Sequence, residues 1–265
     1  MAIRAVIWDI DDTLFDYDTS DRDAALAHLE AEGCLDGYAS PAAAHGHWRT
    51  VMEEHFGRFL AREITFTEQR RARARAVLAV THPDLPALDD AAADAWFARY
   101  DVHFRDAWRL FPDVLPALDA LAAYRHGILS NAGFEGQLGK LRAFSLEARF
   151  DAVLCADQLP RPKPAPEAFH AACSALGVSP VEAAYVGDRP DTDAGAAAAA
   201  GLTGVWIDRT GGSGRIPPAV IRIRTLAELP SPLSNASCQQ MSSRGQSHAQ
   251  GMDPGHRPVI SRYGR

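Results

Sequence analysis

The chain opens on an apolar, β-branched run, Ala2-Ile3-Arg4-Ala5-Val6-Ile7-Trp8, which breaks at once into Asp9-Ile10-Asp11-Asp12-Thr13-Leu14-Phe15. The run predicts a buried strand. From there to Trp108 the apolar positions recur three and four apart, as the buried face of a helix requires. Ser20 with Asp23 marks a helix start before Ala24 to Ala31. Trp48, Val51, Met52, His55, Phe56 and Phe59 fall on one face of a second helix. Thr65 with Glu68 forms a capping box for a third helix reaching Val80. Pro83 and Pro86 end it, and Leu88 to Trp108 reads as one more helix.

After Arg109 strands and helices alternate. Helices are expected over Asp113 to Tyr124, Leu138 to Phe144, Pro166 to Leu176 and Ala194 to Ala200, the last closing at Gly201. Between them lie Gly127-Ile128-Leu129, running into Ser130-Asn131-Ala132-Gly133, then Ala152 to Cys155, Ala183 to Val186, Val205 to Ile207 and Val220 to Ile223. Ser179 with Glu182 caps a brief turn, and Leu226 to Leu229 forms a final one. Alternation of this kind implies an α/β protein with a doubly wound, mainly parallel Rossmann-like sheet, whose ligands bind beyond the carboxyl ends of the strands. Residues 1–15 and 109–230 then form the core and 16–108 an inserted all-α cap domain. From Ser231 to Arg265 the composition turns to Ser, Gln, Gly, Arg and His, and a disordered tail is expected.

Composition narrows the class. A chain of 265 residues, 47% hydrophobic and 23% charged, has enough apolar surface for a real core. A net charge of -7 argues against a general nucleic-acid binder, whose footprint would be basic, and leaves room only for local basic patches. Cys34, Cys155, Cys173 and Cys238 form no CxxC pair, which argues against zinc and disulfide frameworks and for a reducing cytoplasm. No leader pattern is expected at the start, and no apolar stretch approaches the roughly 18 residues of a membrane span.

The chemistry concentrates at predicted strand ends. Asp9, Ser130 and Asp188 each directly or nearly follow a predicted strand. Carboxylates as crowded as Asp9, Asp11 and Asp12 repel one another and resist desolvation, so they need a cation, shared protons or water. A divalent-metal site with a nucleophilic or acid/base carboxylate follows.

Asp9-x-Asp11-x-Thr13, Ser130, Lys163 in Lys163-Pro164-Ala165-Pro166-Glu167, and Gly187-Asp188 followed by Asp193 resemble, in order, the four motifs of the haloacid dehalogenase-like (HAD) hydrolases. The similarity spans residues 5 to 229, and the helical insert resembles the C1 cap of the phosphatase-rich subgroup. The resemblance implies hydrolysis of a small phosphomonoester: a sugar phosphate, phosphoglycolate or a nucleoside monophosphate. Asp9 would be the nucleophile and Asp11 the general acid and base. Asp9, Asp188 and the Asp11 carbonyl would bind Mg2+, supported by Asp193. Ser130 would donate to the phosphoryl group with Asn131 beside it, Lys163 would balance charge, and Thr13 would orient the nucleophile loop. Small phosphates, rather than nucleic acid or membrane, are the implied partners, because a cap closes over the site.

Plainer readings compete. Asp11 to Thr13 and Ser130-Asn131 also suit ordinary turns, and Lys163 beside prolines suits a solvated loop. Asp188 to Asp193 loosely resembles a calcium loop but lacks the bidentate glutamate. Arg70, Arg71, Arg73 and Arg75 suit a solvated helix face, the functional alternative being that Arg71 and Arg75 reach a substrate anion. His45-x-His47 diverges on a helix, and Gly211-Gly212-Ser213-Gly214 lacks the ending of a phosphate loop and reads as flexible. Phe15, Tyr17 and Trp48 either line the site or pack in a core. A dehalogenase of the same family would lack the second acid, which is present here as Asp11. Phosphonate cleavage would need a cap lysine, and none lies between Arg4 and Lys140. A phosphorylation-dependent switch shares the acids, hydroxyl and lysine but not the long insert, and a partner-binding pseudoenzyme fits intact motifs poorly.

Overall fold

In the computed structural model, which describes residues 2–211, 215–231 and 233, one parallel sheet organises the chain. Its strands are β1 (Ala5–Trp8), β2 (Arg125–Ser130), β3 (Ala152–Cys155), β4 (Ala183–Gly187), β5 (Thr203–Ile207) and β6 (Val220–Ile223), arranged 3-2-1-4-5-6. Every pairing is parallel. A parallel sheet is covered on both faces, which is why all of β1 is buried. Val6 and Trp8 point into one layer with Ile128, Val186 and Val205, and Ile7 points into the other with Leu129 and Tyr185.

The α-helices that accompany the strands include α1 (Tyr17–Ala31), α2 (Pro41–Leu60), α3 (Phe66–Thr81), α4 (Asp90–Asp106), α5 (Val114–Ala120), α6 (Phe134–Ala143), α7 (Pro166–Ala175) and α8 (Ala196–Ala199). α7 packs so closely on β2 that a Cβ on Gly127 would stand 2.9 Å from Leu176 Cδ1. The first four helices lie between β1 and α5 and share their own apolar cluster, with Leu29, Trp48, Val77, Trp96 and Tyr100. Phe15 belongs to the sheet core and Trp48 to the insert's core.

Several boundaries differ from the sequence expectation. α1 starts at Tyr17, because Asp16 caps it by accepting from Thr19 N; Ser20 lies inside the helix and donates to Ala107 O at 2.9 Å. The Thr65 and Glu68 capping box is present as expected. The alanine-rich helix is shorter than expected, since Pro190–Gly195 winds as a wide turn in which Ala194 N donates to Arg189 O. Leu233 is buried in the sheet core, so the packed chain passes the expected end of the core at 230. The tail beyond it, and residues 212–214 of the glycine-rich stretch, lie outside the described residues. Among the described residues no helix is long and apolar enough to cross a membrane.

Candidate active site

The order 3-2-1-4-5-6 reverses direction between β1 and β4, and a doubly wound sheet binds its ligands beyond the strand ends at such a point. Asp9 follows β1 and Asp188 follows β4 there. Asp9 N donates to Val186 O at 2.9 Å, which ties the two strand ends together. The chain then folds back: Leu14 N and Phe15 N both donate to Ile10 O, and Asp12 N to Phe15 O. Asp12 takes a left-handed conformation (φ 56°), tolerable for a short polar side chain.

Lys163 is the hub. Its Nζ donates to Asp9 Oδ1 at 2.7 Å, Asp193 Oδ1 at 2.7 Å and Tyr185 Oη at 2.6 Å, so all its protons are engaged. Burial works against this ammonium, but Asp193 and Asp9 outweigh it and hold its pKa above the ordinary value. The wide turn after Asp188 presses Asp193 against β4. A Cβ on Gly187 would fall 2.5 Å from that of Asp193, so only glycine fits.

Asp9, Asp188 and Asp193 offer oxygens that all lie within 4.8 Å of one another. Burial first, and then neighbouring carboxylates against the relief from Lys163, push Asp9 up to about 7. Burial, then Asp9 and Asp193, push Asp188 up to about 9. Buried, mutually repelling hard oxygens are the donor set that a cation such as Mg2+ fits.

Asp11 turns the other way. Its Oδ1 pairs with the Lys140 ammonium and its Oδ2 accepts from Gln137 Nε2 at 2.7 Å. The same Gln137 amide donates to Ser130 Oγ at 3.0 Å, which also accepts from Ala132 N. With two donors already on its oxygen, the Ser130 hydroxyl keeps its own proton for another acceptor. Lys140 Nζ is enclosed by aromatic rings, 5.1 Å from the centroid of Phe15, 5.3 Å from that of Tyr17 and 5.5 Å from that of Phe104. Their faces attract the cation.

Two sequence assignments change. Both ends of the Asn131 amide meet the Lys163 backbone, Nδ2 donating to its O at 2.8 Å and Oδ1 accepting from its N at 2.9 Å. It braces the Lys163 loop. Arg71 binds Asp94 through Nε at 2.8 Å and Nη2 at 2.5 Å, and Asp90 through Nη1 at 2.6 Å. Its guanidinium serves the α3–α4 surface. Thr13 is buried in the turn after Asp9, its Oγ1 unpartnered among the described residues and its carbonyl accepting from Arg209.

Gln137, Lys140 and Tyr185 have no place in the sequence reading. The signal for the first two was their spacing of three on α6, which directs both to one side. For Tyr185 it was a polar tip inside an otherwise apolar strand, two residues before Gly187.

A family model described as haloacid dehalogenase-like hydrolase matches residues 3–201. Glyceraldehyde 3-phosphate phosphatase of Methanopyrus kandleri is 30% identical over 213 residues, 78% of this chain and 84% of that protein. N-acylneuraminate-9-phosphatase of Rattus norvegicus is 32% identical over 117 residues, 42% of this chain; the chain spans about half of that relative, 46%. Among solved structures, the HAD-hydrolase YfnB of Bacillus subtilis superposes with a TM-score of 0.69 at 20% identity, covering 88% of this chain and 99% of its own.

Proposed function

We propose, on the premise that the chain belongs to the haloacid dehalogenase-like hydrolase family, that it is a Mg2+-dependent phosphatase of small phosphomonoesters working through an aspartyl-phosphate at Asp9. The observation that carries this reading is the second carboxylate, Asp11, tied to Ser130 by the single Gln137 amide. An alkoxide needs a proton on leaving and a halide does not, so an acid beside the nucleophile suits a phosphoester.

In this reading an Asp9 carboxylate oxygen attacks phosphorus while Asp11 protonates the departing oxygen; Asp11 then takes a proton from the water that cleaves the aspartyl-phosphate. Lys163 fixes the attacking carboxylate and offsets charge, and Ser130 gives its proton to a phosphoryl oxygen. Asn131 sets the Lys163 loop. Asp9, Asp188 and Asp193, with the Asp11 carbonyl, would hold Mg2+. When bound, that ion supplies charge neutralisation to the carboxylates and the phosphoryl group. Residues 16–108 act as the cap. The relatives named for glyceraldehyde 3-phosphate and N-acylneuraminate 9-phosphate support a small ester as substrate. The buried free thiols Cys34, Cys155 and Cys173 suit a reducing cytoplasm.

The test is phosphate release from a panel of small phosphomonoesters with Mg2+, by wild type, Asp9→Asn, and wild type with EDTA. Release only from the first is expected. A folded, Mg2+-supplied wild type that releases none from any ester would overturn the reading in favour of a dehalogenase or a binding module.

A further inference from the structure

Arg209 stands two residues past β5, and its mostly buried side chain meets partners from two distant parts of the chain. Nη2 donates to the Thr13 carbonyl at 2.7 Å, inside the turn that carries Asp9 and Asp11. Nη1 donates to Asp113 Oδ2 and Nη2 to Asp113 Oδ1, each at 3.1 Å. Its Cζ lies 3.6 Å from the centroid of the Phe111 ring, so the guanidinium rests on that face. A planar fork serves a carboxylate, a carbonyl and a ring face together, which the compact ammonium of a lysine does not.

Asp113 departs from its local role. It stands at the N-cap of α5, where an aspartate ordinarily accepts from the first turn of its own helix, yet it makes no such bond. Its carboxylate accepts instead from Arg209, from Thr225 Oγ1 at 2.7 Å and from Leu226 N at 2.9 Å. Burial acts against the charge, but Arg209, Thr225 and Leu226 N outweigh it and hold the carboxyl below its ordinary range.

The two ends of the helical insert meet at the same place. Phe15 bridges Leu110 in an antiparallel pair, Asp16 N donates to Arg109 O at 3.1 Å, and Phe111 N donates to Leu14 O at 3.1 Å. The chain thus leaves the core just after Thr13 and returns to it just before Asp113, and Arg209 binds both sides of that crossing. Within the turn, the Leu14 and Phe15 amides share the Ile10 carbonyl, and Asp12 is left-handed. Thr13 Oγ1 has no partner among the described residues, so its own hydroxyl makes no bond that holds the turn; Arg209 supplies one through the carbonyl.

We infer that Arg209 is a positioning residue: its guanidinium fixes the turn that presents Asp9 and Asp11 against the returning chain at Phe111 and Asp113, and so keeps the two carboxylates aligned. The effect on catalysis rests on the phosphatase reading; the clamp does not. A shift of about 1 Å in such a turn is enough to cost on the order of 100-fold in rate.

The test compares wild type with Arg209→Met, Arg209→Lys and Thr225→Val. Thr225→Val removes a donor from Asp113 without touching Thr13, and so reports what lost stability alone does. At a temperature where every protein is folded, Arg209→Met should lower kcat about 10- to 100-fold on the preferred ester, with KM changed less than about threefold. Arg209→Lys keeps the charge facing Asp113 and gives up the fork; it should melt near wild type and still lose about 5- to 10-fold in kcat. Thr225→Val should melt lower with kcat unchanged. Hydrogen exchange followed by mass needs no turnover. The peptide carrying Asp12 to Phe15 should exchange about tenfold faster in both Arg209 variants and at the wild-type rate in Thr225→Val, with the β4 peptide unchanged in all three. An unchanged kcat per folded molecule in both Arg209 variants, or exchange at the turn raised no more than in Thr225→Val, would make Arg209 a structural ion pair and overturn the assignment. Faster exchange at the turn in the Arg209 variants, where wild type releases phosphate from no ester, keeps the clamp and rejects the phosphatase; turnover that neither Arg209 variant alters rejects the positioning role alone.

Discussion

The sheet edge and the interior of the helical insert bury charge in opposite ways. At the sheet edge, Lys163 reaches Asp9, Asp193 and Tyr185, Asn131 uses both ends of its amide, and Gln137 joins Asp11 to Ser130. In the insert, among the described residues, His28 has neither ring nitrogen partnered, and Arg73, Gln69, His55 and Trp96 each leave a buried polar atom unpartnered. At the sheet edge the Lys163 and Lys140 ammonium groups are paired with carboxylates, while Thr13 Oγ1 and Gln137 Oε1 are buried and unpartnered among the described residues; paired charges hold such a network rigid.

The sharpest way to break this comparison is to remove one buried cation from each region. Lys163→Met leaves Asp9 and Asp193 buried without their ammonium. It should cost about 3–5 kcal/mol in urea unfolding and abolish turnover. Arg73→Met leaves the Asp21 carboxylate with Trp48 and Tyr100 as donors, and should cost less than Lys163→Met. If both variants are destabilised alike, the regions do not differ.

A second test uses pH. His28 is fully buried against Trp96, 4.2 Å between ring centroids, and burial pushes its pKa down to about 4. The unfolded chain therefore binds the proton first on acidification. This contribution is whole above the unfolded value of 6.5 and is lost as pH falls towards 4, by about 3 kcal/mol at most. His28→Phe should flatten that part of the stability curve, and an unchanged slope would count against a neutral His28.

Lys140 joins the sheet-edge network through Asp11. Lys140→Met should lower kcat about 10- to 100-fold on alkyl phosphates, whose leaving oxygen needs the acid, and much less on p-nitrophenyl phosphate, whose leaving group does not. Equal losses on both esters would assign Lys140 to packing alone. The smallest effect is expected at the α3 capping box, where Thr65→Ala should cost about 1 kcal/mol of stability and leave the sheet-edge chemistry unchanged.

Much of this architecture is legible in the sequence because local rules decide it. Apolar runs ending in Asp9, Ser130 and Asp188 mark strands whose ends meet at one edge, and Thr65 with Glu68 marks a helix start. What is not legible depends on partners distant in the chain. Arg71 and Arg73 are equivalent as sequence, and only the position of α4 pairs one with Asp94 while the other turns inward. Ser20 reads as a cap until Ala107 O is found beside it, and Asn131 reads as a substrate contact until both its ends meet the Lys163 backbone. Gln137 and Lys140 lie 126 and 129 residues from the carboxylate they hold. Helical spacing shows that they share a side, but not what that side faces.

The most direct test of the central claim is mass analysis of peptides from enzyme acid-quenched during turnover of its preferred phosphomonoester. The account predicts a phosphoryl group on the peptide carrying Asp9, absent from Asp9→Asn and from enzyme quenched without substrate. Phosphate release that continues in Asp9→Asn, with no phosphoryl adduct on that peptide in wild type, would contradict it.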